Sequence, residues 1–133
     1  MTLVNVVLLL ALVEFVVILM AVGRARDTYK VPAPATTGNE VFERYCRVQN
    51  NTVEQLIVFV PSLLLFAHYT SWPRVAAGLG LLFVIGRWVY FTGYVKDPKK
   101  RSAGFLVSFV PNMILLLGAL IGSVIALVRF GLY

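Results

Sequence analysis

The sequence predicts an all-α membrane protein, a bundle of four transmembrane helices, and three observations lead to this fold class. First, 59% of the 133 residues are hydrophobic and only 14% are charged, whereas soluble domains usually carry about 25% charged residues. Second, the chain contains four apolar runs, each close to the ~20 residues that a helix needs to cross a bilayer. Third, none of the runs alternates polar and apolar residues as the strands of a membrane barrel do. Since backbone groups cannot stay unpaired in lipid, the runs are predicted to be helices.

The first helix is predicted over residues 3–24, and its apolar part is interrupted only by Asn5 and Glu14. We interpret it as a membrane span and not as a signal peptide, because it lacks a basic start, its apolar part is too long and no small-x-small cleavage site follows. A lone carboxylate at membrane depth is a candidate functional residue. Our own interpretation of Glu14 is a polar contact between packed helices.

The second helix is predicted over residues 40–69 and is expected to begin before the membrane. Its first part, residues 40–54, is highly polar, and the apolar run starts only at Gln55. Pro61 lies inside that run, where a proline kinks a helix but is tolerated in a membrane. The preceding loop, residues 25–39, is rich in turn-forming residues.

The third helix is predicted over residues 74–95, where Arg87 is the only charged residue inside the apolar run, and the fourth helix over residues 102–130. A short basic loop, residues 96–101, connects them. The chain is therefore predicted to form a single four-helix membrane domain over residues 1–133.

The placement of the positive charge predicts the topology. Of the 12 Lys and Arg side chains, nine flank the spans on the side of the first and third loops, and two lie on the other side. Such an excess marks the cytoplasmic side, so these loops are predicted to be cytoplasmic and both termini to lie outside. Because topology accounts for the positive charge, no nucleic-acid partner is predicted. The membrane could be a bacterial inner membrane or an internal eukaryotic one. The nine residues are Arg24, Arg26, Lys30, Arg44, Arg47, Lys96, Lys99, Lys100 and Arg101.

The second helix carries a polar stripe that leads into the membrane. At 100° per residue, Arg44, Arg47, Asn51 and Glu54 fall within an arc of about 80°. A solvated helix end with ion pairs is one interpretation. We favour a binding site, because ionisable groups at membrane depth usually face a protein interior or a water-filled cavity.

The third helix carries a second stripe. Arg87, Tyr90 and Tyr94 fall within about 60° of one another, although tyrosines could also form an interfacial belt. Arg101 directly abuts the fourth helix and could turn inward. Together these groups suit a small, multiply charged ligand, because arginine forks bind carboxylates with two hydrogen bonds. Glutathione has carboxylates, an amine and peptide bonds, and is compatible with this set.

Two motifs resemble those of a known family, the membrane-associated proteins in eicosanoid and glutathione metabolism (MAPEG). The similarity covers essentially the whole chain, and Thr36-Thr37-Gly38 and Arg101 stand at matching distances. The motif of the second helix is Phe42-Glu43-Arg44-x-x-Arg47-x-Gln49-x-Asn51-x-x-Glu54. The motif of the third helix is Gly86-Arg87-x-x-Tyr90-Phe91-x-Gly93-Tyr94.

The resemblance implies a homotrimer that binds glutathione, a co-substrate, between neighbouring subunits near the cytoplasmic side, and no metal. Arg101 matches an arginine that stabilises the glutathione thiolate, and Arg44 and Arg87 are expected to be structural ion-pair partners. Tyr90 and Tyr94 are expected to contact glutathione from the adjacent subunit. The remaining residues expected to bind glutathione are Arg26, Arg47, Gln49, Asn51 and Glu54.

The function implied by the resemblance is that of a microsomal glutathione transferase or peroxidase, a detoxifying enzyme. The glutathione thiolate would attack lipophilic electrophiles or hydroperoxides that reach the enzyme from the bilayer lipids. Asp27 stands where leukotriene synthases carry a second arginine, and Gln55 replaces a tyrosine, so leukotriene synthesis is disfavoured. Ser102 resembles a serine of prostaglandin synthases. Cys46 lies about 200° around the helix from Arg44 and is not expected to be catalytic.

Two alternatives from other classes stay open. One is a non-catalytic lipid- or ligand-binding member of the same family, which glutathione turnover would exclude. The other is a small four-helix multidrug transporter that uses Glu14. Such transporters have short loops, whereas a polar segment of roughly thirty residues, Arg24 to Glu54, separates the first two spans here.

Overall fold

The computed structural model describes residues 1–132 and contains four long helices and one short 3-10 turn. No strand is present in this part of the chain. Each of the four helices is long and apolar enough to cross a membrane, so the chain is an integral, multi-pass membrane protein and the predicted fold class is confirmed. The helices are α1 (Thr2–Thr28), α2 (Glu40–Thr70), α3 (Pro73–Lys96) and α4 (Arg101–Phe130), and the 3-10 turn is Pro98–Lys100.

The helix ends follow local chemistry. The Asn39 side chain accepts a hydrogen bond of 3.0 Å from the Phe42 backbone N–H and caps α2, as short polar residues commonly do. Pro73 occupies the first turn of α3, where its missing N–H costs nothing. Asp97 caps the 3-10 turn through Lys99. The first helix runs four residues past its predicted end, to Thr28, so the basic residues of the first loop begin on the helix itself.

The core between the four helices is apolar in the half of the bundle that contains the start of α1. Phe59 of α2 and Phe83 of α3 stack with ring centroids 3.9 Å apart, and Val4, Leu63 and Leu115 are fully buried around them. The opposite faces of the helices carry exposed large apolar side chains. In a membrane span such faces contact lipid, so the bundle is apolar inside and outside at this depth.

The helices α3 and α4 approach each other backbone to backbone in the other half of the bundle. A β-carbon at Gly104 would collide with the Tyr90 backbone and lie 2.5 Å from its Cα, and a β-carbon at Gly86 would lie 2.7 Å from the carbonyl carbon of Val107. Small residues permit such close packing of membrane helices. The two glycines therefore set the distance between the helices that carry Tyr90 and Arg101.

Arg44 has a structural role that differs from the expected one. Its Nη1 donates to the Val95 carbonyl at 3.2 Å and to the Lys96 carbonyl at 3.5 Å. These carbonyls belong to the last turn of α3 and have no partner within the helix. Arg44 was expected to form an ion pair, and it instead caps α3 and ties it to α2.

Candidate functional site

A cavity of about 280 Å³ opens where α2, α3 and α4 meet, at the end of the bundle that carries the 3-10 turn. It contains most of the polar residues that the sequence singled out, drawn from three different helices. The lining residues are Arg47, Asn51, Tyr90, Tyr94, Arg101, Ser102 and Phe105.

The wall from α2 consists of Arg47 and Asn51, which lie about one turn apart on the predicted polar stripe. Arg47 is exposed, so its guanidinium is open to a ligand. The Asn51 side-chain oxygen accepts a hydrogen bond of 2.7 Å from Arg87 Nη1. Since that oxygen is occupied, the Asn51 amide NH₂ group is the part free to donate to a ligand.

The wall from α3 consists of Tyr90 and Tyr94, whose rings are nearly parallel with centroids 5.6 Å apart. Tyr90 is buried, and the Arg87 guanidinium carbon lies 4.3 Å from its ring centroid, a cation–π contact. Both tyrosines line the cavity together with Arg47 and Asn51 of the same chain. The contact of these tyrosines with glutathione from an adjacent subunit, which the resemblance implies, stays a prediction.

The third wall comes from the start of α4. Arg101 is its first residue and is exposed, Ser102 follows it, and Phe105 lies one turn further on. Arg101 therefore combines a full positive charge with the partial positive charge of a helix N-terminus. Both favour an anion at this point of the cavity.

Three predicted site residues do not line this cavity. Arg26 donates to the backbone carbonyls of Val31 at 3.2 Å and Ala35 at 2.8 Å, so it holds the first loop. Gln49 is about 200° around α2 from Arg47 and faces another side of the helix. Glu54 is exposed and lies one turn beyond Asn51 on the same stripe.

Two features of the site region were missed in the sequence. Phe105 forms the apolar wall of the cavity and stacks on Phe109, with centroids 5.2 Å apart; its spacing of four residues from Arg101 places both on one helix face and could have identified it. Asn112 of α4 donates to the backbone and side-chain oxygens of Gln55 at 3.2 and 3.1 Å. Gln55 therefore links α2 to α4, which no local pattern indicates.

The arrangement suits a small anionic ligand with an apolar neighbour. Two exposed guanidiniums, an amide and two phenols provide hydrogen-bond donors for carboxylates and peptide groups. Phe105 adds an aromatic surface for an apolar group. Within residues 1–132, no group of three or more His, Cys, Asp and Glu side chains could hold a metal ion.

Comparison with known proteins links this chain to a family. A model described as the MAPEG family matches residues 3–121. An uncharacterized protein of Synechocystis sp. is 49% identical over 112 residues, which cover 84% of this chain and 81% of the relative. Microsomal glutathione S-transferase 2 of Homo sapiens is 42% identical over 102 residues, 76% of this chain and 69% of the relative. Leukotriene C4 synthase of Cavia porcellus is 34% identical over 103 residues, 77% of this chain and 68% of the relative. The matched family region includes every residue that lines the cavity.

Proposed function

Because the chain belongs to the MAPEG family, we propose that it is a membrane-bound glutathione transferase, active on lipophilic electrophiles or hydroperoxides. The observation that carries this proposal is the convergence of Arg47, Asn51, Tyr90, Tyr94 and Arg101 on one cavity. The name of one relative, a microsomal glutathione S-transferase, supports glutathione as the co-substrate.

The cavity residues divide the binding of glutathione between them. Arg47 pairs with a carboxylate, the Asn51 amide donates to a peptide carbonyl, and the phenols of Tyr90 and Tyr94 supply further hydrogen bonds. Arg101 faces the thiol. The protein thus contributes position and charge stabilisation, and uses no metal.

The reaction follows from the thiolate. The glutathione thiol loses its proton to solvent, because the positive charge of Arg101 favours the anion. With an aryl halide, the sulfur forms a carbon–sulfur bond and halide leaves. With a hydroperoxide, the sulfur attacks the terminal oxygen, the O–O bond breaks and an alcohol leaves; a second glutathione then releases water and yields glutathione disulfide. Phe105 places the lipophilic partner beside the sulfur.

The proposal includes a homotrimer with glutathione at the contact between copies. Gln49 faces a different side of α2 from its own chain's cavity, and Arg26 lies in the last turn of α1. We therefore assign both to the cavity of a neighbouring copy. Glu54 lies one turn beyond Asn51 on α2 and binds the glutathione amine.

The single domain of residues 1–133 carries the whole activity. Its first and third loops are cytoplasmic and both termini lie outside, in a bacterial inner membrane or an internal eukaryotic membrane.

Glutathione conjugation of an aryl halide by the detergent-purified protein tests the function. We expect turnover by the wild type, and about a tenfold rise in the KM for glutathione for Arg47→Ala, since a hydrogen bond to a charged group contributes about 1.5–3 kcal/mol. Steady-state kinetics with varied glutathione measure both.

Arg74→Ala is the matched control, because Arg74 is an exposed arginine at the opposite end of the bundle. It should leave the KM unchanged. Glutathione binding without turnover of any electrophile or hydroperoxide would favour a non-catalytic binder. Proton-coupled drug efflux that depends on Glu14 and no glutathione binding would favour a transporter.

A further inference from the structure

Glu14 of α1 and Arg87 of α3 are the two charged side chains that are buried among residues 1–132. Glu14 is 8% exposed and Arg87 is 0% exposed. The helices α1 and α3 pack against each other. Ile18 lies one turn after Glu14 and packs in one core cluster with Tyr90. Tyr90 lies one turn after Arg87 on α3, so Glu14 and Arg87 lie at the same level of the bundle. Charges at membrane depth are costly and usually pair with one another, so the presence of both calls for an explanation.

Arg87 supports two walls of the cavity at once. Its Nη1 donates to Asn51 Oδ1 on α2 at 2.7 Å, and its guanidinium carbon lies 4.3 Å from the Tyr90 ring centroid on α3. Asn51 and Tyr90 both line the cavity, whereas Arg87 does not. Arg87 therefore lies outside the cavity lining and fixes the relative position of two lining residues, Asn51 and Tyr90.

Two hydrogen-bond donors of Arg87 take no part in these contacts. Its Nε and Nη2 are buried without a hydrogen-bond partner among residues 1–132. A buried guanidinium in that condition is destabilising unless a negative group offsets it. Glu14, the buried acidic side chain at the same level of the bundle, belongs to a third helix, α1.

We propose that Glu14 is a positioning residue for the glutathione site: it holds Arg87 inside the bundle, and Arg87 holds Asn51 and Tyr90 in the cavity wall. This inference rests on the proposed function, since it takes glutathione as the ligand of the cavity. It gives the carboxylate of α1 an indirect role in binding, through electrostatics within the bundle.

Steady-state kinetics of Glu14→Gln and Arg87→Lys test the positioning role. For both variants we expect the KM for glutathione to rise about five- to tenfold, as for the loss of a charged interaction, with kcat within twofold of the wild type. Arg87→Lys keeps the charge and lacks the planar fork that reaches Asn51 and Tyr90 together. Asn5→Leu, at an exposed position of α1, is the control and should change neither parameter. An unchanged KM in Glu14→Gln would overturn the proposal.

A double-mutant cycle on thermal stability tests the pairing without any ligand. Glu14→Leu and Arg87→Met should each lower Tm, because each leaves one buried charge unpaired. The double variant should regain most of that loss, while its KM for glutathione stays raised because Asn51 has lost its donor. Additive losses in Tm would overturn the pairing. A wild type that shows the coupling but binds no glutathione would overturn the proposed function, and with it the positioning role.

Discussion

Replacing Gly104 with alanine is expected to destabilise the protein by about 1–3 kcal/mol, the usual cost of forcing an extra group into a packed core. The new β-carbon would collide with the Tyr90 backbone and lie 2.5 Å from its Cα. Backbone atoms cannot rotate away as a side chain can, so α3 and α4 must separate. Thermal unfolding in detergent should show Tm lowered by several degrees. The glutathione KM should rise too, because Tyr90 and Arg101 stand on the two helices that move apart.

Gly78→Ala is the matched control, since a β-carbon at Gly78 would meet no atom within 4 Å. Alanine is favoured over glycine in a helix by up to about 1 kcal/mol, so this variant should be as stable as the wild type or more so. If Gly104→Ala proves equally harmless, the backbone contact between α3 and α4 is wrong.

Replacing Arg101 with alanine is expected to lower conjugation at neutral pH by about eight- to twenty-fivefold, which corresponds to one to two units in the pKa of the bound glutathione thiol. Thiolate is the nucleophile, and an ordinary thiol has a pKa of about 8.5. A cation beside the sulfur lowers that pKa, so removing Arg101 raises it. The loss should therefore be greatest at pH values below the lowered pKa and shrink as the pH rises through the pKa of an unassisted thiol. The pH dependence of kcat, with glutathione saturating, measures this.

Lys99→Ala is the control for charge in the same segment. Lys99 is exposed on the 3-10 turn and does not line the cavity, so its removal should leave the pH profile in place. A loss in Arg101→Ala that is equal at every pH would mean that Arg101 orients glutathione without ionising it. An unchanged rate would rule out this role for Arg101 and leave Tyr94 as the next candidate.

Much of the site could be predicted from the sequence because its residues lie on regular helices. Along one helix each residue turns by 100°, so the shared direction of Arg47 and Asn51, or of Tyr90 and Tyr94, follows from spacing alone. The contacts of Arg26 could not be predicted in this way, because its guanidinium donates to the Val31 and Ala35 carbonyls of the first loop. Hydrogen bonds to loop carbonyls depend on a path of the backbone that no periodic pattern describes.

The sequence by itself determined the class of the protein: four spans from apolar length, and a family from two polar motifs. Only the tertiary structure decided which helix faces meet. It placed Arg87 against Asn51, joined Gln55 to Asn112 and put Tyr90 and Tyr94 in the same chain's cavity as Arg47 and Arg101. The reason is that periodicity fixes directions within a helix, whereas the rotation of one helix against another is set by long-range packing, here by the close contact of α3 and α4 at Gly86 and Gly104.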